Sequence, residues 1–447
     1  MAFTHPTPPA LRRWPAALAL LTLACAARAQ TFAPPVPVPA VEQGFEQLVA
    51  APLVQKVLEG VKADHERSLA DLKMLTEIPA PPFKEKARAE RFLQRLKALG
   101  LPNAAMDSEG NVIGVRKGAG GGPRLVISAH LDTVFPEGTD VTVKKRDGRL
   151  YAPGISDDTR GLAVLLSWLK VLNDNQLQTV GDLIFVGNVG EEELGNLRGM
   201  KALFAAHKDI DGMVGLEPGE GPRIVTLGTG SHRYEVTFRG PGGHSFGAFG
   251  LPSAIHAMGR AIARIDDIRP PENPKTTYTV GTVGGGTSVN AIAGDARMAV
   301  DIRSNAMPTL LETEKQIMDA IAAGVADENR RWNSDQMTHQ VKLIGDRPAG
   351  ATPIDSRIVQ VAARAISGAG VKPVLMGAST DANVPMSLGI PAVIMGSGGK
   401  TGGFHARDEW FDPQGAWKGA QISLTAVLGL VGVQGVSEPL LEKRAAR

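Results

Sequence analysis

Cysteine is almost absent from this sequence. The one residue, Cys25, lies near the amino terminus. The rest of the chain therefore forms no disulfide and offers no thiolate as nucleophile or metal ligand. Long apolar runs are also lacking. The longest amino-terminal one, Trp14 to Ala27, is too short to span a bilayer. Charge of either sign is not in excess: the net charge is +2, with 21% charged residues. No basic tract exists to hold nucleic acid or an anionic membrane surface. What remains is the composition of an ordinary globular protein, 43% hydrophobic, with length for more than one domain.

The amino terminus reads as an export signal. Arg12 and Arg13 precede the apolar run, and Ala27-Arg28-Ala29 fits a cleavage site. Cleavage near Ala29 would release a periplasmic or secreted chain. It would also remove Arg12, Arg13 and Arg28, taking the charge from +2 to −1. A lipid anchor on Cys25 is disfavoured, because Thr22 stands where an aliphatic residue is usual. Residues 30–50, with Pro34, Pro35, Pro37 and Pro39, read as an extended linker.

Beyond it, helical patterning over 51–78 and 84–99 gives way to short aliphatic runs. Arg124–Ala129 ends in His130, Leu183–Gly187 ends near Glu191 and Glu192, and Gly212–Leu216 ends in Glu217. Pro391–Met395 ends in a Gly-rich loop. Such runs between helices predict an α/β fold with a mixed, mainly parallel sheet and flanking helices. Ligands bind such sheets beyond the carboxyl ends of the strands. Residues 231–346 pattern as β-α-β-β-α-β, the ferredoxin-like α+β plan, and predict a lid domain inserted between catalytic segments 51–230 and 347–440.

The polar clusters fall where that sheet would place a site. His130, Asp157, Glu191, Glu192, Glu217 and His405 all follow expected strand ends. Each has a bland reading alone: a helix cap for Asp157-Asp158, a solvated acidic face for Glu191-Glu192-Glu193, a turn for His405. Their joint placement points to one site, and imidazoles with carboxylates suit zinc or a similar divalent ion. Two P-loop and esterase look-alikes fail. Ile394 occupies the glycine position that a P-loop ending Gly399-Lys400-Thr401 requires, and Asp381 replaces the closing glycine of a nucleophile elbow.

Five motifs carry a family resemblance: Ser128-Ala129-His130-Leu131-Asp132, Gly154-Ile155-Ser156-Asp157-Asp158, Gly190-Glu191-Glu192-Glu193-Leu194-Gly195, Leu216-Glu217-Pro218 and Gly403-Phe404-His405-Ala406. In this order they resemble the M20 metallopeptidases, co-catalytic zinc exopeptidases and amidohydrolases. The resemblance implies two divalent metal ions, zinc first, with cobalt or manganese as alternatives. It implies Asp157 as the bridge, His130 and Glu217 on one ion, and Glu192 and His405 on the other. Glu191 becomes the general base, with Asp132 supporting the metal site. His244, in Gly240-Pro241-Gly242-Gly243-His244-Ser245, becomes an oxyanion donor, often over a partner subunit's site. Asn290 and Arg303 become substrate contacts, Arg303 holding a terminal carboxylate.

The expected activity is hydrolysis of short peptides, with N-acyl amino acid deacylation as the alternative and a non-catalytic binding protein a more distant one. Which chain end is attacked stays open. A homodimer through the lid is also implied, with no nucleic-acid partner and no stable membrane insertion. Thr159-Arg160 and Glu193 depart from the family pattern.

Overall fold

A computed structural model describes residues 31–444; the expected signal segment and Cys25 lie outside them. The central element is a ten-stranded sheet. At its middle, Arg124–His130 lies parallel to both Asp182–Asn188 and Gly212–Glu217, and the latter is parallel to Ala392–Gly396. Antiparallel strands, such as Val112–Arg116 and Thr31–Phe32, flank this centre. The central strands are buried on both faces, as their near-continuous Val, Ile and Leu content requires.

Register sets where the site lies. His130 pairs with Asn188, and Glu217 with Gly396, so the ends of neighbouring strands coincide. The helix Thr159–Asp174 runs beneath them and is buried on almost every side. Its Trp168 is fully buried and satisfies its one polar atom by donating Nε1–H to the Ala420 carbonyl at 3.1 Å. Among the described residues no helix is long and apolar enough to cross a membrane.

The linker expected over 30–50 is instead mostly a helix, Pro39–Ala50. Pro39 occupies its first turn, where a missing N–H costs nothing. Val41, Phe45 and Leu48 then share one face and enter the main core. The Val38 N–H, ahead of the helix, donates to Gln360 Oε1 at 2.9 Å.

A second, four-stranded antiparallel sheet comprises Gly230–Arg239, Thr276–Gly285, Asp295–Ser304 and Thr338–Arg347. With the helices Ala254–Asp266 and Met307–Arg331 it follows the β-α-β-β-α-β order, and the spatial strand order is that of a ferredoxin-like sheet. It has a separate core around Val236, Phe238, Met298 and Ile317. The chain returns to the main sheet at Gly350–Ala351. A small third sheet, which the sequence pattern did not suggest, joins Lys400–Gly402 and Trp410–Asp412 to the hairpin Lys144–Tyr151.

Candidate metal centre

His130 is the last residue of its strand and is buried. Its Nδ1 lies 3.0 Å from the Asp132 carbonyl oxygen, which can only accept. Nδ1 must therefore carry a proton, so Nε2, 3.1 Å from Asp157 Oδ1, is the ring nitrogen that a metal ion would take in place of a proton. Asp157 reaches the other way too: its Oδ2 lies 3.4 Å from His405 Nε2, which is 3.2 Å from Glu192 Oε1. Two donor groups result, His130–Asp157–Glu217 and Asp157–Glu192–His405, each with atoms within 4.8 Å of one another. Asp157 belongs to both. A third group, His130–Glu191–Glu192, is equally compact.

The electrostatics of the cluster suit cations. Burial, then the nearby Asp157, raises Glu217 to about 8. Burial likewise pushes Glu191 well up, opposed by the Arg347 guanidinium. Hydrogen bonds to Asp157 and Glu192 raise His405 to about 10. Packed carboxylates of this kind take up protons unless cations neutralise them. Imidazole and carboxylate donors in two groups sharing one carboxylate fit a pair of divalent ions.

Surrounding residues fix the donors in place. Asp132 spends its carboxylate on backbone: Oδ1 accepts from Glu191 N at 3.1 Å and Oδ2 from Glu192 N at 2.7 Å. Its support of the site thus runs through the 191–192 segment, while its carbonyl sets the His130 tautomer. Asp158 faces away from the donors. It caps the helix below, accepting from Gly161 N at 3.1 Å, and also accepts from His130 N at 3.2 Å.

Glu409, which sequence reasoning missed, is fully buried. Its Oε1 accepts from Ser156 N at 2.8 Å, Ser156 Oγ at 2.6 Å and Asp157 N at 2.9 Å, and its Oε2 from Gly154 N at 2.9 Å. One carboxylate thus shapes the whole loop that presents Asp157. Arg347, also missed, is buried, and its Nη1 donates to Glu191 Oε1 at 3.2 Å. Its Nη2 donates to the Glu191 carbonyl.

The residues that leave the family pattern are accounted for. Thr159 Oγ1 donates to the Gly154 carbonyl at 2.6 Å. Arg160 is buried 5.3 Å from the centre of the Phe411 ring and donates to Ser68 Oγ at 3.2 Å. Neither lines the cavity over the donors. Glu193 does line it, and its carbonyl accepts from Arg233 Nη1 at 2.7 Å.

That cavity encloses about 700 Å³ and is lined by Asp157, Glu191, Glu192, Glu217, His405 and, from the lid, Arg303. His244 and Asn290 lie outside this lining; they sit together on an exposed ribbon pairing Gly243–His244 with Ala291–Ile292. The His244 ring instead accepts at Nδ1 from Gly247 N at 3.2 Å. The backbone of the loop after Ala392–Gly396 is likewise engaged, with Ser397 N donating to Glu217 O at 2.8 Å and Gly398 N to Gly219 O at 3.0 Å.

A parallel-centred sheet with metal-type donors past its strand ends, carrying a ferredoxin-like insertion, defines a two-domain α/β protein built around a candidate dinuclear centre. The chain belongs to peptidase family M20/M25/M40, whose model matches residues 126–428. It is 28% identical over 249 residues to carboxypeptidase G2 of Pseudomonas sp. (strain RS-16), covering 52% of this chain and 59% of that one. It is also 28% identical over 311 residues to acetylornithine deacetylase of Myxococcus xanthus, covering 64% and 76%. A solved tripeptidase from Staphylococcus aureus superposes with a TM-score of 0.69 at 22% identity, over 81% of this chain and 97% of that one.

Proposed function

We propose that this protein is an exported, metal-dependent hydrolase of the amide bond in short peptides or N-acyl amino acids. The observation that carries the reading is Asp157, shared by two compact donor groups, with the buried Glu191 carboxylate facing the same cavity. His130 and Glu217 would hold one divalent ion, Glu192 and His405 the other, and Asp157 both. Such ions supply a water nucleophile near neutral pH and polarise the amide carbonyl.

The chain's own groups do the rest. Glu191 accepts the proton of the attacking water and returns it to the departing amine. Arg347 holds the Glu191 carboxylate in one orientation through Nη1, and Asp132 fixes its backbone. Arg303 binds a substrate carboxylate from the lid side.

Peptidase action on a short peptide is the leading form. The 28% identity to a deacetylase over 76% of its length supports deacylation as the second. Both present the same amide. A simple binding protein has no use for a base held beside the donors. The lid ribbon carries exposed Phe246 and Val289 beside His244, which supports a homodimer in which His244 and Asn290 reach the partner's cavity. Export rests on the sequence before Gln30 alone.

The test is metal analysis of the purified mature chain together with a panel of dipeptides, tripeptides and N-acyl amino acids under added zinc, cobalt or manganese. Two ions per chain and turnover of one substrate class are expected. No hydrolysis of any panel member under any metal would sink the reading.

A further inference from the structure

A second cavity, of about 630 Å³, shares no lining residue with the metal centre. Four helices wall it: Pro39–Ala50, Pro52–Ala63, Arg357–Gly368 and Trp417–Val431. Helical spacing turns one face of each towards it. Phe45 and Val49 stand four residues apart, and Lys418, Ile422 and Thr425 follow at steps of four and three. The first of these helices is the segment whose prolines suggested a linker, so its folding against the core builds one wall. The interior is apolar: Phe45, Val49, Leu58, Ala365 and Ile422 supply it, and Val371, 38% exposed, extends it to the surface. The neutral polar groups bond within the wall. Gln55 Nε2 donates to the Val49 carbonyl at 2.6 Å, and Gln421 Nε2 to the Leu58 carbonyl at 2.7 Å.

Charge gives the cavity a sign. Arg364 and Lys418 line it, and no acid does. Arg364 is fixed: its Nε donates to Glu42 Oε1 at 2.7 Å, and its guanidinium carbon lies 4.9 Å from the centre of the Phe45 ring. Lys418 is exposed, and its ammonium has no acidic partner among the described residues. A lone exposed lysine is ordinary surface. Beside an apolar cavity without acids, of the size that takes a small molecule, it is complementary to an anionic head on an apolar body. A cationic head would meet two like charges there, and a neutral one would leave the lysine unanswered.

We infer that this cavity binds a straight-chain fatty acid, its carboxylate on Lys418 and its alkyl chain along Ile422, Leu58 and Val49. Burial of the chain supplies the affinity, because each methylene leaves water for an aliphatic wall. Lys418 supplies the choice of head: a flexible, hydrated ammonium suits a carboxylate that stays at the water boundary. The site stands apart from the chemistry of the metal centre and does not depend on the amide-hydrolase reading.

The test is calorimetric titration of laurate and of dodecylamine, each below its micelle concentration, into the zinc-loaded wild type, Ile422→Trp, Lys418→Glu and Lys418→Arg. Wild type should bind one laurate per chain with a Kd on the order of 10–100 μM, the scale of a single acyl chain leaving water. Dodecylamine should bind about tenfold or more weakly. Ile422→Trp, which fills the cavity, should abolish laurate binding. Lys418→Glu should weaken it about tenfold or more, and Lys418→Arg should retain it. Lys418 is exposed, so its variants keep the claim testable should Ile422→Trp fail to fold. No laurate binding, equal binding of dodecylamine, or laurate binding unchanged in Lys418→Glu or in a folded Ile422→Trp would overturn the assignment. Laurate held by the zinc ions would survive both substitutions. A cavity covered by a second copy of the chain would take no laurate, and Ile422→Trp would then release monomers in light scattering.

Discussion

Glu191→Gln separates the two roles that the geometry allows this residue. Glu191 lies in the compact group with His130 and Glu192, where a ligand role is open to it; it also faces the cavity as a base held by Arg347. Glutamine keeps the shape and can still accept from Arg347 Nη1. It cannot take a proton. Loss of a positioned general base slows turnover by about 10²- to 10⁴-fold, equivalent to about 3–5 kcal/mol on the barrier. KM should change little, because the substrate's carbonyl and carboxylates meet other groups. Metal content should stay at the wild-type value, since neither proposed donor set uses Glu191. The assays are kcat and KM on the best substrate of the panel, with metal per chain by elemental analysis. A fall in metal content with turnover would show Glu191 to be a ligand. A rate within about threefold of wild type would remove it as the base.

Other residues give independent checks. Glu409→Ala leaves the buried Gly154, Ser156 and Asp157 N–H groups without their acceptor; it should weaken metal affinity by about 10- to 100-fold, read by chelator competition. Phe45→Ala, at a core position that is 1% exposed, should cost about 3–5 kcal/mol in urea unfolding, whereas a linker position would cost almost nothing. In the lid, His232 is raised above 6.5 chiefly by its hydrogen bond to Asp346, with Glu314 on the other side, and Asp346 is lowered below 3.8 by the same contact. The folded state thus holds the His232 proton more tightly. Its stabilisation is complete below pH 6.5 and above pH 3.8, and is lost as pH rises through the folded His232 value or falls through that of Asp346. The melting-temperature gap between wild type and His232→Asn should therefore be wide near pH 6 and narrow near pH 9; a gap independent of pH would contradict this.

Much of the fold was legible in the chain. Aliphatic runs ending in His130, Glu217 and Gly396 are buried parallel strands because only such strands need side chains that are apolar on both faces. The alternation in 231–346 gave a half-exposed sheet for the same reason. The Pro39–Ala50 helix was not legible. Its prolines suggest extended chain, and the groups that make it a helix lie elsewhere: Gln360, which caps Val38, and the core that takes Phe45.

The sequence by itself marked the candidate donors. His130, Asp157, Glu192, Glu217 and His405 are residue types that metals choose; His130, Glu192 and Glu217 lie at or just past readable runs, and Asp157 and His405 stand out by their motifs. Only the tertiary structure decided how they are held and what else faces the cavity. Glu409 stands 252 positions from Asp157, and Arg347 stands 156 from Glu191. No local pattern links partners so far apart, since a lone glutamate or arginine in a loop reads as solvated surface until the fold buries it. Strand register also set the cavity wall, pairing Val225 with Met376 there. The pairing of Gly243–His244 with Ala291–Ile292 in a ribbon of its own left His244 outside the cavity.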